Sequence, residues 1–171
     1  MTRTTMFALL LAAVAAAPLA AQRTDSIPVL EHRDLDGPRI GFTYITGPRA
    51  EVKLAEYHLQ PFMSVVGWHF EQTTRPRNGG PQLVIEQVLV VAGLDQGKAI
   101  PSGSFLVGIR TSNGIEFGMG PNISPVGAAL AVGIGKSLQY GGVTIPLNLA
   151  MVISQGSLRT SFLIGYAIRR S

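Results

Sequence analysis

The chain of 171 residues contains no cysteine. That excludes a disulfide scaffold, a thiol nucleophile and a thiolate zinc site. Histidine is scarce too. His32, His58 and His69 are scattered without metal-ligand spacing, so no metal is expected. Charge is thin, with 14 Lys and Arg against 10 Asp and Glu, a net +4. The basic residues form no stripe and have no interleaved aromatics, which argues against a nucleic-acid partner. Phosphate-loop and other cofactor motifs are missing as well. Gly133 to Ser137 looks like the end of such a loop, but Leu130 stands where its first glycine belongs. Long apolar runs are confined to the N-terminus. Met6 to Leu19 is apolar, yet shorter than the roughly 20 residues a spanning helix needs.

That segment follows Arg3 and precedes the small residues Pro18, Leu19, Ala20 and Ala21. It reads as a secretory signal peptide over residues 1–21. Leaving it out removes Arg3 alone and lowers the charge from +4 to +3. Gln22 to Pro38 is polar and reads as a flexible lead-in. Residues 39–171 are then one domain, large enough for a core of its own.

What fills this domain is alternation. In Val143 to Ile153, the residues Val143, Ile145, Leu147, Leu149, Met151 and Ile153 share one phase. Thr144, Pro146, Asn148, Ala150 and Val152 share the other. Successive strand side chains point to opposite faces, so one face is large and apolar, the other small or polar. The same split recurs in Arg39 to Thr46, Phe62 to Thr73, Gly103 to Thr111, Gly114 to Gly120, Val126 to Leu138 and Ser157 to Ile168. Gln82 to Ala92 is also a strand, with Glu86 and Gln87 competing for the inward phase. Asn113 and Gly114 mark a hairpin, as do the glycines at 141, 142 and 156. Pro121 to Pro125 reads as a connection. One helix is expected after the first strand, over Arg49 to Leu59, with Val52, Ala55 and Leu59 on its apolar face. The fold class is all-β, an up-and-down antiparallel barrel of about eight strands with one short helix.

Two solvents fit the two faces. In a soluble barrel the large phase is the core. In a membrane barrel it meets lipid, and the small phase fills a narrow lumen. A stripe such as Gly127, Ala129, Ala131, Gly133 and Gly135 suits a lumen better than a water-facing surface. On these features the chain resembles the small eight-stranded outer-membrane barrels of Gram-negative bacteria. The resemblance covers roughly residues 39–168 and is architectural. The chain departs from the family in ending on Ile168, Arg169, Arg170 and Ser171 instead of an aromatic residue. It implies an integral protein of the outer membrane with lipid as its partner and a structural or interaction role. A soluble periplasmic or secreted barrel holding an apolar ligand is the alternative.

The few charges of the small phase are the site candidates. Glu71, Glu86, Arg110 and Glu116, joined by His69, are expected to form a polar cluster in the lumen, because buried charges need mutual pairing. Arg110 and Glu116 flank one hairpin on adjacent strands. His69 and Glu71 are also the catalytic candidates of a third reading, a lipid-directed hydrolase with Ser64 or Ser104 as nucleophile. No serine here stands in a nucleophile-elbow sequence, so a hydrogen-bond network is the favoured role.

Overall fold

The structure, a computed structural model, describes residues 30–76, 80–140 and 143–170. The expected signal peptide and residues 22–29 of the lead-in lie outside them. The strands are β1 (Leu30–Thr46), β2 (Phe62–Pro76), β3 (Gln82–Ala92), β4 (Ile100–Arg110), β5 (Ile115–Ser124), β6 (Gly127–Tyr140), β7 (Val143–Ser154), β8 (Ser157–Gly165) and a short β9 (Ile168–Arg170). Helix α1 (Pro48–Glu56) follows β1, and a 3₁₀ turn (Leu94–Gln96) follows β3. From β1 to β8 each strand pairs antiparallel with the next, and β1 also pairs with β8 and β9. The sheet is therefore closed. β9 keeps the register of β8 along β1, so the two are one strand with a gap and the barrel has eight.

The register sets the width. Partners followed once round run Asp34, Gln72, Ile85, Val107, Met119, Val132, Met151 and Thr160. The next step returns to β1 at Tyr44, ten residues beyond Asp34. Eight strands with that stagger tilt by about 40° and enclose a radius of about 8 Å. Such a lumen is just wide enough for side chains to fill.

Polarity is inverted across the wall. Phe42, Ile109 and Ile134 point outward and are 53%, 53% and 52% exposed. Glu71, Arg110 and His69 point inward and are 3%, 7% and 1% exposed. Along β7 the outward apolar phase runs from Val143 to Ile153, a band about 25 Å tall at this tilt. Glu86 is buried and Gln87 exposed, which resolves the phase of β3.

One mouth has an identifiable closure. At the end holding α1, Leu54 packs on Met63, Val65, Ala92 and Leu163, which point into the lumen. The buried face of α1 is Ala50 and Leu54. The helix ends at Glu56, short of the expected Leu59; Val52 is 67% exposed and Ala55 is exposed too, so of the expected face only Leu59, beyond the helix, packs against the core. The helix must reach a mouth only one side chain wide, and the four-residue spacing of Ala50 and Leu54 matches the line that meets it. The helix ends with His58 in the left-handed region, φ 54°. Leu59 N–H reaches Leu54 O at 2.8 Å and His58 N–H reaches Ala55 O at 3.2 Å, a Schellman closure without its glycine.

Two prolines mislead the element boundaries. β1 starts at Leu30, not at Arg39, so residues 30–38 are strand where a lead-in was expected. The register on either side of the β8–β9 gap places Pro38 opposite Tyr166. Proline has no N–H to give, and the ladder is interrupted there. Likewise β5 runs through Pro121 to Ser124. Pro121 pairs with Leu130 of β6, while the β4–β5 ladder lacks its rungs between Ser104–Asn122 and Val107–Met119. In both strands the missing donor costs one side of one ladder.

Replacing His58 by glycine, which enters the left-handed region without steric cost, should stabilise the barrel by about 0.5–1 kcal/mol in denaturant titration. A second expectation concerns the β3–β4 loop. Asp95 Oδ1 accepts from Ser64 N at 3.0 Å and from Ser64 Oγ at 2.7 Å. The Ser64 hydroxyl holds the Asp95 carboxyl below its ordinary range. A lowered value means this clamp is present above the unfolded carboxyl's range and is lost as pH falls through the folded value. Ser64 amide exchange, relative to its intrinsic rate, should stay slow near neutrality and quicken only in acid. Asp95→Asn should abolish that dependence.

Candidate functional site: a polar network in the lumen

Alternation along β2, β3, β4 and β5 aims Glu71, Glu86, Arg110 and Glu116 into the lumen, and register stacks them together. Glu71 pairs with Glu86 across β2–β3, and Arg110 with Glu116 across β4–β5. Two like charges face each other at the first pair, so a cation must reach them. Arg110 does. Its Nη1 and Nη2 donate to Glu71 Oε1 and Oε2 at 2.6 and 2.7 Å, a two-pronged bond across the barrel. Its Nε donates to Glu116 Oε2 at 2.8 Å, and Nη2 also reaches that oxygen. Thr73 Oγ1 donates to Glu71 Oε1 at 2.8 Å, and Asn148 Nδ2 to Glu116 Oε1 at 2.9 Å.

His69 and Glu86 stand in a second group beside the first. Arg39 Nη2 lies 2.5 Å from His69 Nδ1. A guanidinium can only donate, so Nδ1 must carry the lone pair and Nε2 the proton. Nε2 then faces Glu86 Oε2 at 3.3 Å, within ion-pair reach but without hydrogen-bond geometry. Arg39 Nη1 also donates to Pro38 O at 3.1 Å and Tyr166 O at 3.3 Å. The Tyr166 carbonyl lies opposite Pro38, so the side chain takes the place of the missing backbone donor.

The stripe of small residues on β6 makes room for this. A Cβ on Gly135 would lie 2.6 Å from Asn148 Nδ2 and 2.8 Å from Glu116 Cγ. Leu106 reaches across the lumen toward Gly133, whose Cβ would lie 3.8 Å from its Cδ1. A cavity of about 60 Å³ remains, lined by Arg39, His69, Glu86, Ser104, Glu116 and Asn148 on its polar side. It has room for a few waters with several polar partners. Nearer the helix-capped mouth, Arg159 Nη2 donates to Ser102 Oγ at 2.8 Å and lies 3.3 Å from Asn122 Oδ1. Asn122 Nδ2 donates to Ser102 Oγ and to Ser104 Oγ, each at 2.8 Å.

No family model, no curated protein and no solved structure matches this chain. Its chemistry must be read from the network itself. All five residues singled out in the sequence, His69, Glu71, Glu86, Arg110 and Glu116, face this lumen. Reading pairs of charges missed Arg39, Arg159, Asn148, Asn122 and Thr73. Phase alone had the signal for the arginines: Arg39 alternates with Gly41 and Thr43, and Arg159 with Ser161. Among the described side chains the lumen holds Arg39, Arg110 and Arg159 against Glu71, Glu86 and Glu116.

The hydrolase arrangement is not assembled. Ser64 shares the outward phase with Val66 and Trp68, on the opposite face from His69, and its hydroxyl is bound to Asp95. Ser104 lines the cavity, but its hydroxyl accepts from Asn122. His69 presents its lone pair to Arg39 and has none left for a serine proton. Among the described residues no group of three or more His, Asp or Glu is placed to hold a metal ion.

Arg110→Met should cost about 3–5 kcal/mol, because two carboxylates stay buried without their cation. Adding Glu116→Gln should recover part of this. Urea unfolding followed by the single tryptophan, Trp68, should give a coupling of about 0.5–3 kcal/mol. Strict additivity would mean the pair does not act as a unit.

Proposed function

We propose that this chain is an exported integral outer-membrane β-barrel with a structural or interaction role and no catalytic step of its own. The observation that carries the reading is the inverted polarity of the closed wall. A water-soluble barrel in this phase would leave its whole circumference of Phe, Ile, Leu and Met side chains in water, far beyond the apolar patches soluble monomers expose. In a bilayer the same surface meets hydrocarbon, and closure satisfies the backbone groups that lipid cannot. The 25 Å band on β7 matches the apolar height of about 25 Å such barrels present. No described helix is long and apolar enough to cross a membrane, so crossing falls to the strands. Export by residues 1–21 and a Gram-negative source belong to the same reading.

The cavity weighs against a soluble carrier of an apolar ligand. At about 60 Å³ it falls far below the ~300 Å³ of small-molecule sites, and its polar side carries charges. The packed lumen and the Leu54 closure also favour a role without a conducting pore.

Cell fractionation tests the reading. The protein should sediment with outer membrane, resist alkaline carbonate, and migrate differently on cold and heated gels. Release by carbonate with unchanged mobility would refute it. In reconstituted bilayers Leu149→Arg, near mid-band on the outer face, should cost about 2–4 kcal/mol. Ala150→Ser, on the lumen phase, should stay within about 0.5 kcal/mol. A neutral Leu149→Arg would remove lipid from the account.

A further inference from the structure

The outward phase of β3 reads Leu83, Ile85, Gln87, Leu89 and Val91. Its middle member is an amide. Gln87 is exposed, and its rungs place it between Phe70 of β2 and Phe105 of β4. Its side chain makes no hydrogen bond among the described residues. Several other outward polar groups differ. Lys136 donates to Asn113 O at 2.9 Å. Ser64 is bound to Asp95. Gln72 and Thr160 lie nearer the two rims. A second feature sits beside Gln87 on this face. Gly103 stands between Leu89 and Ile123 across its two ladders. Its missing side chain opens an outward groove lined by Leu89, Val91, Pro101, Gly103, Ile123 and Pro125.

Resting on the membrane reading, we propose that the β2–β4 outer face is the dimer interface of this chain, with Gln87 at its two-fold axis. An amide facing hydrocarbon loses its water partners and gains none. It can be satisfied by a protein surface offering both a donor and an acceptor at the same depth. A second copy meets that demand by construction. Two copies inserted in one direction have their dyad along the bilayer normal, so every residue on the axis meets itself at equal depth. A primary amide is self-complementary and forms two reciprocal hydrogen bonds with its mate. The groove at Gly103 lets the two walls approach closely beside that pair, and close packing is what drives association in lipid. Phe70 and Phe105 flank the axis and exclude lipid from the amides.

The absence of native cysteine makes the test direct. Ile85→Cys places a thiol one outward position from Gln87, and Leu149→Cys places one on β7, four strands away on the far wall. Each full-length variant is folded into phosphatidylcholine vesicles at high lipid excess, checked by heat-modifiability, and oxidised. Ile85→Cys should give a disulfide dimer and Leu149→Cys should not. In the Ile85→Cys background, Gln87→Leu should lower the dimer yield about tenfold, with Gln87→Asn retaining part of it. Equal yields from the two thiol variants in a folded barrel would overturn the interface while leaving the membrane reading intact. A yield indifferent to Gln87→Leu would overturn the role of the amide. In native membranes, capture of a different protein by the Ile85→Cys variant without any homodimer would overturn the choice of partner. Failure of every variant to insert, wild type included, would instead overturn the membrane reading beneath the proposal.

Discussion

Closure of the sheet is the constraint on which everything else in this molecule depends. β1 must offer hydrogen bonds on both edges, to β2 and to β8, and it does so over most of its length. Once eight strands close with a stagger of ten residues, the radius is fixed at about 8 Å. A cylinder that narrow has no space for a conventional apolar core. Its interior can hold long side chains only where the facing wall is bare. Gly118, Gly133 and Gly135 are that bare wall, and Glu116, Asn148 and Leu106 occupy the space they leave.

A narrow interior also dictates how charge is tolerated. Glu71 and Glu86 face each other directly on neighbouring strands. Neither is viable alone in so little water, and their pairing across the wall would repel. Arg110 relieves one of them by spanning from β4, and the neutral His69 separates the other from Arg39. The tautomer of that histidine follows from its neighbours, since a guanidinium on one side and a carboxylate on the other leave one arrangement of a single proton. A polar interior of this kind specifies one register: sliding β2 by one residue would turn Glu71 and His69 outward and bring Gln72 and Phe70 in.

Much of the architecture was legible in the sequence, because a barrel wall enforces a period of two and each solvent selects its own phase. The strand at Gln82 to Ala92 was bounded to the residue, and the alternation from Val143 to Ile153 covers β7 but for Ser154. Misreadings came where one residue type carries two meanings. Pro38 and Pro121 read as strand breakers, yet each lies in a strand whose ladder is interrupted on one side only. Val52 and Ala55 fit a helical period, but which line of α1 is buried depends on a mouth formed by Met63, Val65, Ala92 and Leu163, residues far away in the chain. The charge pairs of the lumen could be anticipated from phase. Arg39 hid behind the supposed lead-in, and Arg159 behind a strand otherwise filled with small and apolar residues. The sequence carries no nucleophile-elbow serine, and in the structure the lone pair of His69 is turned to Arg39.

The side chain of Arg39 ties two events that are separate in most β-proteins. It leaves β1, takes up the carbonyl of Tyr166 where Pro38 offers the last strand no backbone donor, and reaches His69 on β2. One guanidinium therefore bridges the first, second and final strands. Tyr166 arrives only when the end of the chain meets its beginning. Before then Arg39 lacks that acceptor and is held only from the first two strands, by Pro38 O and His69. The join between first and last strand is thus sensed inside the lumen by the same guanidinium that sets the proton of His69, so the seam of the cylinder and the order of its interior share one side chain.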